Sequence, residues 1–262
     1  MQTDTRYFEI RLAQTAADLL AAQRLRYAVF VEELGGDGAL VDHAARIERD
    51  DFDDHVDHLI LVDNRRDAGA HDHVVGVYRL LTSDRAAALG RFYCDAEYDL
   101  TRLRASGRRL LELGRSCVHP DYRGGTGMFL LWNALADYVL DHGIEVLFGV
   151  ASFHGTDVQA LAQPLAWLHH HHLAPEALRV TARAPCAAMD LVPRDRLDRR
   201  AALRDMPALI KAYLRLGGVV GQGAYIDAPF NTTDVCLLMD TAAMSARHRA
   251  FYTRRYDAGS GD

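Results

Sequence analysis

Residues Glu112–Gly127 read ELGRSCVHPDYRGGTG. Leu110–Val118 is apolar apart from Glu112, Arg115 and Ser116, and it reads as a buried strand. A Pro120-Asp121 turn follows, then the loop Arg123-Gly124-Gly125-Thr126-Gly127. From Met128 to Asp141 apolar residues recur at helical spacing (Met128, Leu131, Leu135, Val139), with Gly143 as the stop. Strand, glycine-rich turn and helix in this order present backbone N–H groups to a phosphate at a helix N-terminus. A carboxylate just upstream is placed to act as a general base. The stretch points to an α/β fold and to transfer chemistry on a phosphate-bearing donor.

Outward from this stretch, residues 7–12 alternate as a short strand. Thr15 with Asp18 three residues later resembles a capping box opening a helix over Ala16–Val31, stopped by Gly35-Gly36. Arg26 and Phe30, four apart, share a face of that helix. Asp37–Asp57 is acidic and weakly periodic, so it reads as a long loop of the kind that is often functional. His58–Asp63 and Val74–Leu81 read as paired strands across a polar turn. Residues 82–109 read as irregular, with one helix near Leu100–Ala105. Glu145–Phe153 is a buried strand, and a helix over Asp157–Leu168 is expected to kink at Pro164. Strands near Arg179–Val192 and Thr233–Met239 flank a helix over Pro207–Leu216. No repeat and no linker-like tract divides the chain. The expectation is one domain over 1–256 and a disordered tail over 257–262.

Composition narrows the function classes. The chain has 262 residues, 49% of them hydrophobic, and a net charge of −6, which disfavours nonspecific nucleic-acid binding. No apolar run is long enough to span a membrane, and MQTDTRYFEI lacks a signal pattern, so a cytoplasmic location is expected. Cys94, Cys117, Cys186 and Cys236 form no CxxC pair and read as reduced thiols. Arginines cluster at 102, 104, 108 and 109, and again at 194, 196, 199 and 200. Each cluster is either a solvated surface or a docking patch for an acidic partner or an anionic membrane. The four histidines His169–His172 fan around a helix axis and cannot all reach one ion, so no metal is expected.

Taken together, the motifs resemble a known family. The stretch Glu112–Gly127 and the strand after its helix resemble the GNAT acyltransferase superfamily. LRYAVF (25–30), ERDDFDDHVDHLIL (48–61), GVYRLL (76–81) and ELGRSCV (112–118), in this order, resemble the branch shared by acyl-homoserine-lactone synthases and ornithine N-acyltransferases. WLHHHHLAP (167–175), LIKAYLRLGG (209–218) and GAYIDAPFNTTDVCLLM (223–239) look like the L-ornithine Nα-acyltransferase family, also described as hemolysin-like. The resemblance covers residues 7–240. It implies a GNAT-like α/β fold, a mixed central sheet flanked by helices. It also implies transfer of a 3-hydroxyacyl chain from acyl carrier protein to the α-amine of L-ornithine. The donor's phosphopantetheine arm then serves in place of any separate cofactor.

Attack on a thioester needs a neutral amine, and an α-ammonium is mostly protonated at pH 7. Glu112 is the candidate base, as the matching glutamate is in the lactone-synthase branch; the competing reading is a structural ion pair with Arg115. A regular strand points residues 112 and 115 to opposite faces, so sharing a site requires a bulge near Gly114. Arg123, Gly124, Gly125, Thr126 and Gly127 are the candidate cradle for the pantetheine phosphate. In the superfamily pattern Tyr122 stands where Gln or Arg is usual, so the loop is one residue tight or differently registered. Arg26, Phe30, Asp50, Asp53, Arg79 and Arg115 match the charged cluster of the lactone-synthase branch. That cluster either recognises the acceptor, an arginine taking its carboxylate and an aspartate its δ-ammonium, or only orders the 37–57 loop. Ser152, placed with the substrate-binding set, and His154 are candidates for protonating the leaving thiolate. Exposed arginines suggest peripheral contact with the inner face of the cytoplasmic membrane.

Overall fold

In the computed structural model, which describes residues 5–123 and 126–242, the capping box opens α1 (Ala16–Arg26) as its sequence requires. The Thr15 hydroxyl accepts from the Asp18 backbone N–H at 3.1 Å, and the Asp18 carboxylate accepts from the Thr15 N–H at 3.2 Å. The helix leaves the α form earlier than expected. Tyr27–Glu33 is a π-helix, in which the Leu34 N–H reaches back to the Val29 carbonyl. This wider turn changes which side chains follow Arg26 onto each face.

The remaining elements are β1 (Phe8–Leu12), β2 (Asp57–Asp63), β3 (Val74–Thr82), α2 (Ser83–Leu89), β4 (Tyr98–Asp99), α3 (Thr101–Ala105) and β5 (Leu110–Val118). They continue with α4 (Thr126–Asp141), β6 (Val146–His154), α5 (Ala162–His172), β7 (Thr181–Ala182), β8 (Cys186–Ala187), α6 (Arg199–Asp205), α7 (Ala208–Arg215), β9 (Val219–Val220), β10 (Ala224–Asp227) and β11 (Thr232–Asp240). Two compact units interleave along the chain. One holds the residues up to Gly90 together with Glu112–Gly143; the other holds Arg91–Leu111 and the residues from Ile144 onward.

In the first unit the strand order is β1-β2-β3-β5, and β2 is antiparallel to both β1 and β3. Side chains alternate across β2. Ile60 and Val62 pack with Ala21, Ala22, Leu25, Val29, Val74, Val77 and Cys117, which seats α1 on one face. Leu61 points the other way, to α4. A Cβ at Gly127 would lie 3.2 Å from Leu61 Cδ2, and one at Gly76 would lie 2.8 Å from Leu131 Cδ1. Glycine at both positions lets α4 lie close on the sheet. Leu131, Leu135 and Val139 are buried there, as the helical spacing predicts.

In the second unit β6 pairs along its length with β11, and β10 and β8 follow in order, all antiparallel. Three expectations are corrected here. Arg179–Val192 yields only the two-residue strands β7 and β8, joined through a cis Ala184–Pro185 peptide. Pro164 lies in the first turn of α5, where its missing N–H has no helical partner to lose, so it starts the helix rather than kinking it. The short helices α2 and α6 were not expected, because neither has a marked apolar stripe. The expected tail over 257–262, and the end of the expected domain, lie outside the described residues.

Candidate active site

Three arginines and three carboxylates from four chain segments meet in the first unit. Arg26, the last residue of α1, is fully buried. Its Nε donates to Glu48 Oε2 and its Nη1 to Asp53 Oδ1 at 2.7 Å. Arg79, near the end of β3, donates from Nη1 to Asp50 Oδ1 (2.5 Å) and Asp53 Oδ1 (3.1 Å). Arg115, on β5, donates from Nε to Glu48 Oε1 (3.0 Å) and from Nη2 to Asp50 Oδ2 (3.2 Å). Each carboxylate therefore lies between two guanidiniums, and the six charges cancel. Gln23 Nε2 adds a bond to Asp53 Oδ2 at 3.0 Å, and His58 Nε2 lies 3.0 Å from the Asp53 carbonyl.

The order of burial within the cluster sets what it can do. Side-chain exposure is 4% or less for Arg26, Glu48, Asp53 and Arg79, but 17% for Asp50 and 15% for Arg115. Asp50 and Arg115 form the edge that a solute can touch. The other four hold that edge in place.

The loop expected over 37–57 is tied down by this cluster. It carries a bridge between Asp42 and Ile47 and a 3-10 turn over Asp53–His55. Asp50 Oδ1 also accepts from the Phe52 N–H at 3.0 Å, so Asp50 and Asp53 arrive with fixed spacing. Glu48 is the site residue the sequence reading did not single out. It stands in the quoted ERDDFDDH run, and a buried acid facing two arginines is a tertiary fact.

Burial raises the pKa of Glu48, Asp50 and Asp53, and the neighbouring arginines more than reverse that. All three end below the ordinary carboxylate range, Asp53 at about 2. A carboxylate whose folded pKa lies below its unfolded value supplies stability above the unfolded value and loses it as pH falls through the folded one. We therefore expect stability at constant ionic strength to hold above about pH 4 and to fall between about pH 4 and pH 2. Urea unfolding at half-unit pH steps checks this. A midpoint that is flat from pH 5 to pH 2.5 would mean that folding does not lower these carboxylate pKa values.

The backbone of β5 departs from the extended form at the residue after Gly114. Arg115 itself has φ +47°, a left-handed conformation that costs a non-glycine residue roughly 1 kcal/mol or more. A Cβ at Gly114 would lie 3.7 Å from Arg79 Nε and Nη2, so residue 114 faces the cluster. Arg115 reaches the same cluster although it is the next residue. Alternation slips at this point. Glu112, two residues before Gly114, leaves the strand on Gly114's side and is 3% exposed. One left-handed residue thus puts Glu112 and Arg115 on the same side of β5.

Other candidates lie elsewhere. Phe30 packs, partly buried, against the apolar cluster around Leu25 and Val29 rather than joining the charges. Arg123 is held by Glu33, with Nη1 and Nη2 donating to its two carboxylate oxygens at 2.5 and 2.6 Å, while Nε donates to the Val118 carbonyl at 2.9 Å. Tyr122 is fixed by its hydroxyl, which donates to Asp63 Oδ2 at 2.7 Å. Gly124 and Gly125 lie outside the described residues, Thr126 begins α4, and Gly127 has the packing reason given above. Ser152 belongs to the second unit, where it is exposed on β6 opposite Asp234 of β11. His170 Nε2 lies 3.0 Å from the Val192 carbonyl, and the His171 ring lies 4.1 Å from that of Trp167.

Comparison with known proteins bears on the family and the fold. Residues 25–133 match the acetyltransferase (GNAT) domain family. The chain is 71% identical over 250 residues to an L-ornithine N(alpha)-acyltransferase of Rhodobacter capsulatus, covering 95% of this chain and 96% of the relative. It is 41% identical over 247 residues to an L-ornithine N(alpha)-acyltransferase of Brucella abortus, covering 93% and 88%. Among solved structures, the CoA-dependent acyl-homoserine lactone synthase BjaI matches with a TM-score of 0.53 and 16% identity, covering 95% of this chain and 90% of that one. That likeness establishes the fold: a GNAT mixed sheet flanked by helices.

Proposed function

Because this chain belongs to the L-ornithine N(alpha)-acyltransferase family and is an acyltransferase, we propose that it moves a (3-hydroxy)acyl chain from acyl carrier protein to the α-amine of L-ornithine, forming lyso-ornithine lipid. The observation that carries this reading is the identity of 71% across nearly the whole length of both chains. The charged cluster supports it at the level of chemistry. Ornithine brings one carboxylate and two amines, and the accessible edge of the cluster offers one guanidinium and one carboxylate, Arg115 and Asp50. Arg115 pairs with the acceptor carboxylate and Asp50 holds the δ-ammonium. A δ-amine kept charged is no nucleophile, which directs acylation to the α-amine.

Glu112 removes a proton from the α-ammonium, directly or through one water. The freed lone pair attacks the thioester carbonyl, the C–S bond breaks as the amide forms, and the thiol leaves with a proton. Backbone N–H groups beside the left-handed Arg115 receive the oxyanion of the tetrahedral intermediate. The glycine loop and the first turn of α4 receive the phosphate of the donor's pantetheine arm, and no further cofactor takes part. Among the described residues no helix is long and apolar enough to cross a membrane. Delivery of the amphiphilic product is assigned to peripheral contact with the inner face of the cytoplasmic membrane.

Free-thiol release from 3-hydroxyacyl carrier protein tests the acceptor. Parallel assays contain L-ornithine, S-adenosylmethionine or no acceptor. Release is expected with ornithine only, accompanied by an N-acylated product. Release with S-adenosylmethionine in place of ornithine would move the chain to lactone synthesis and overturn the assignment.

A further inference from the structure

The two arginine clusters of the sequence behave differently once folded. Three arginines of the first cluster pair with the chain's own carboxylates. Arg102 Nη1 lies 3.1 Å from Glu176 Oε1, Arg104 pairs with both oxygens of Asp95, and Arg108 donates to both oxygens of Asp240 at 2.6 and 2.7 Å. The second runs Arg194-Asp195-Arg196-Leu197-Asp198-Arg199-Arg200. Its four arginines are exposed, and among the described residues none of them is ion-paired. Asp198 is occupied as the cap of α6, its Oδ1 accepting the Arg200 and Ala201 N–H groups at 2.8 and 3.2 Å. The next acid along, Asp205, is taken by Arg204.

The segment is also held as a platform. On α5, His170 Nε2 meets the Val192 carbonyl at 3.0 Å, and Gln163 Oε1 accepts the Asp198 N–H at 2.9 Å. Four unpaired guanidiniums on an anchored segment form a local positive field on a chain whose net charge is −6. A partner drawn to this place must be acidic. The described large apolar side chains that are exposed, Tyr7, Leu34, Leu40, Phe129 and Leu140, all belong to the other unit. Adsorption to a lipid surface combines charge with an inserted apolar face, and among its described residues the second unit presents no large exposed apolar side chain. The face of a folded acidic protein fits better.

We propose that Arg194, Arg196, Arg199 and Arg200 form the surface on which an acidic carrier protein docks to deliver its thioester-bound acyl chain. This rests on the carrier-protein reading of the donor. The test uses the full chain and four variants: R194E/R196E, R199E/R200E, R199K/R200K and, as a control, R102E/R104E. Turnover with L-ornithine is measured with 3-hydroxyacyl carrier protein and with the same acyl group on free phosphopantetheine. Carrier-protein binding is read by fluorescence anisotropy at low and high salt.

Each glutamate pair at 194–200 is expected to lower kcat/KM with the carrier-bound donor at least ten-fold through KM. Turnover of the free arm should stay within about two-fold. The lysine pair should retain carrier turnover, and the salt dependence of binding should weaken in the glutamate variants. Unchanged carrier binding in both glutamate pairs overturns the proposal, as does an equal loss in the control. Loss of binding to phosphatidylglycerol vesicles with carrier binding intact overturns it in favour of a membrane. Wild type that acylates ornithine from the free arm but neither binds nor uses the carrier protein would show that the donor reading itself has failed.

Discussion

Glu112→Gln is expected to lower kcat by about a hundred- to a thousand-fold at pH 7, within the range that a positioned general base contributes. The substitution keeps the shape and hydrogen-bonding capacity of a side chain that is buried on β5, and it removes only the ability to accept a proton. The acceptor's α-amine, with an ordinary pKa near ~8, is mostly charged at neutral pH. Without a base, the enzyme must wait for the small neutral fraction of acceptor. The deficit should therefore shrink as pH rises toward about 9, where free amine becomes abundant. A merely structural role would lower activity equally at every pH. Single-turnover rates for both proteins from pH 6.5 to pH 9 distinguish these cases. A glutamine variant within a few-fold of wild type at pH 7 would remove Glu112 from the chemistry.

Arg26→Met should be the most destabilising change in the charged cluster. Arg26 is fully buried, and it pairs with Glu48 and Asp53, which are each 5% exposed or less. Removing one member of a buried ionic group leaves the remaining charge uncompensated, at a typical cost of roughly 3–5 kcal/mol. For a chain of this size that lowers the melting temperature by about 10 °C. Arg26→Lys should fall between, because an ammonium restores the charge but not the fork that reaches two carboxylates. Glu48→Gln added to Arg26→Met should recover part of the loss, since it removes one of the stranded charges. Thermal unfolding of the four proteins checks this. Arg26→Met as stable as wild type would mean that the buried charges do not hold the loop.

Much of the fold was legible from local pattern. β5 has the bounds its apolar run predicts, the Thr15–Asp18 box opens α1, β2 and β3 pair across their polar turn, and α4 buries the residues its spacing selects. Each of these depends on residues within one helical turn or one hairpin of each other. Two of the failures lay in helices. Short helices such as α2 and α6 have too few turns for a stripe to show. The π-helix over Tyr27–Glu33 departs from a helical pattern that looks continuous in sequence.

The site divides in the same way. Resemblance to the lactone-synthase branch names five of the six charged members, Arg26, Asp50, Asp53, Arg79 and Arg115, through ordered motifs spread over residues 25–118. Only the tertiary structure decided their roles by depth, with Asp50 and Arg115 at the edge, the rest behind, and Glu48 joining them. It also decided that Phe30 packs against the core, that Arg123 is held by Glu33, and that of two similar arginine clusters one is paired with acids while the other, among the described residues, is not. The reason is physical. Residue type and spacing fix what chemistry a segment can offer, because side-chain direction follows a local period. Burial and pairing depend on which distant segment arrives opposite, and that is set by closing the whole fold.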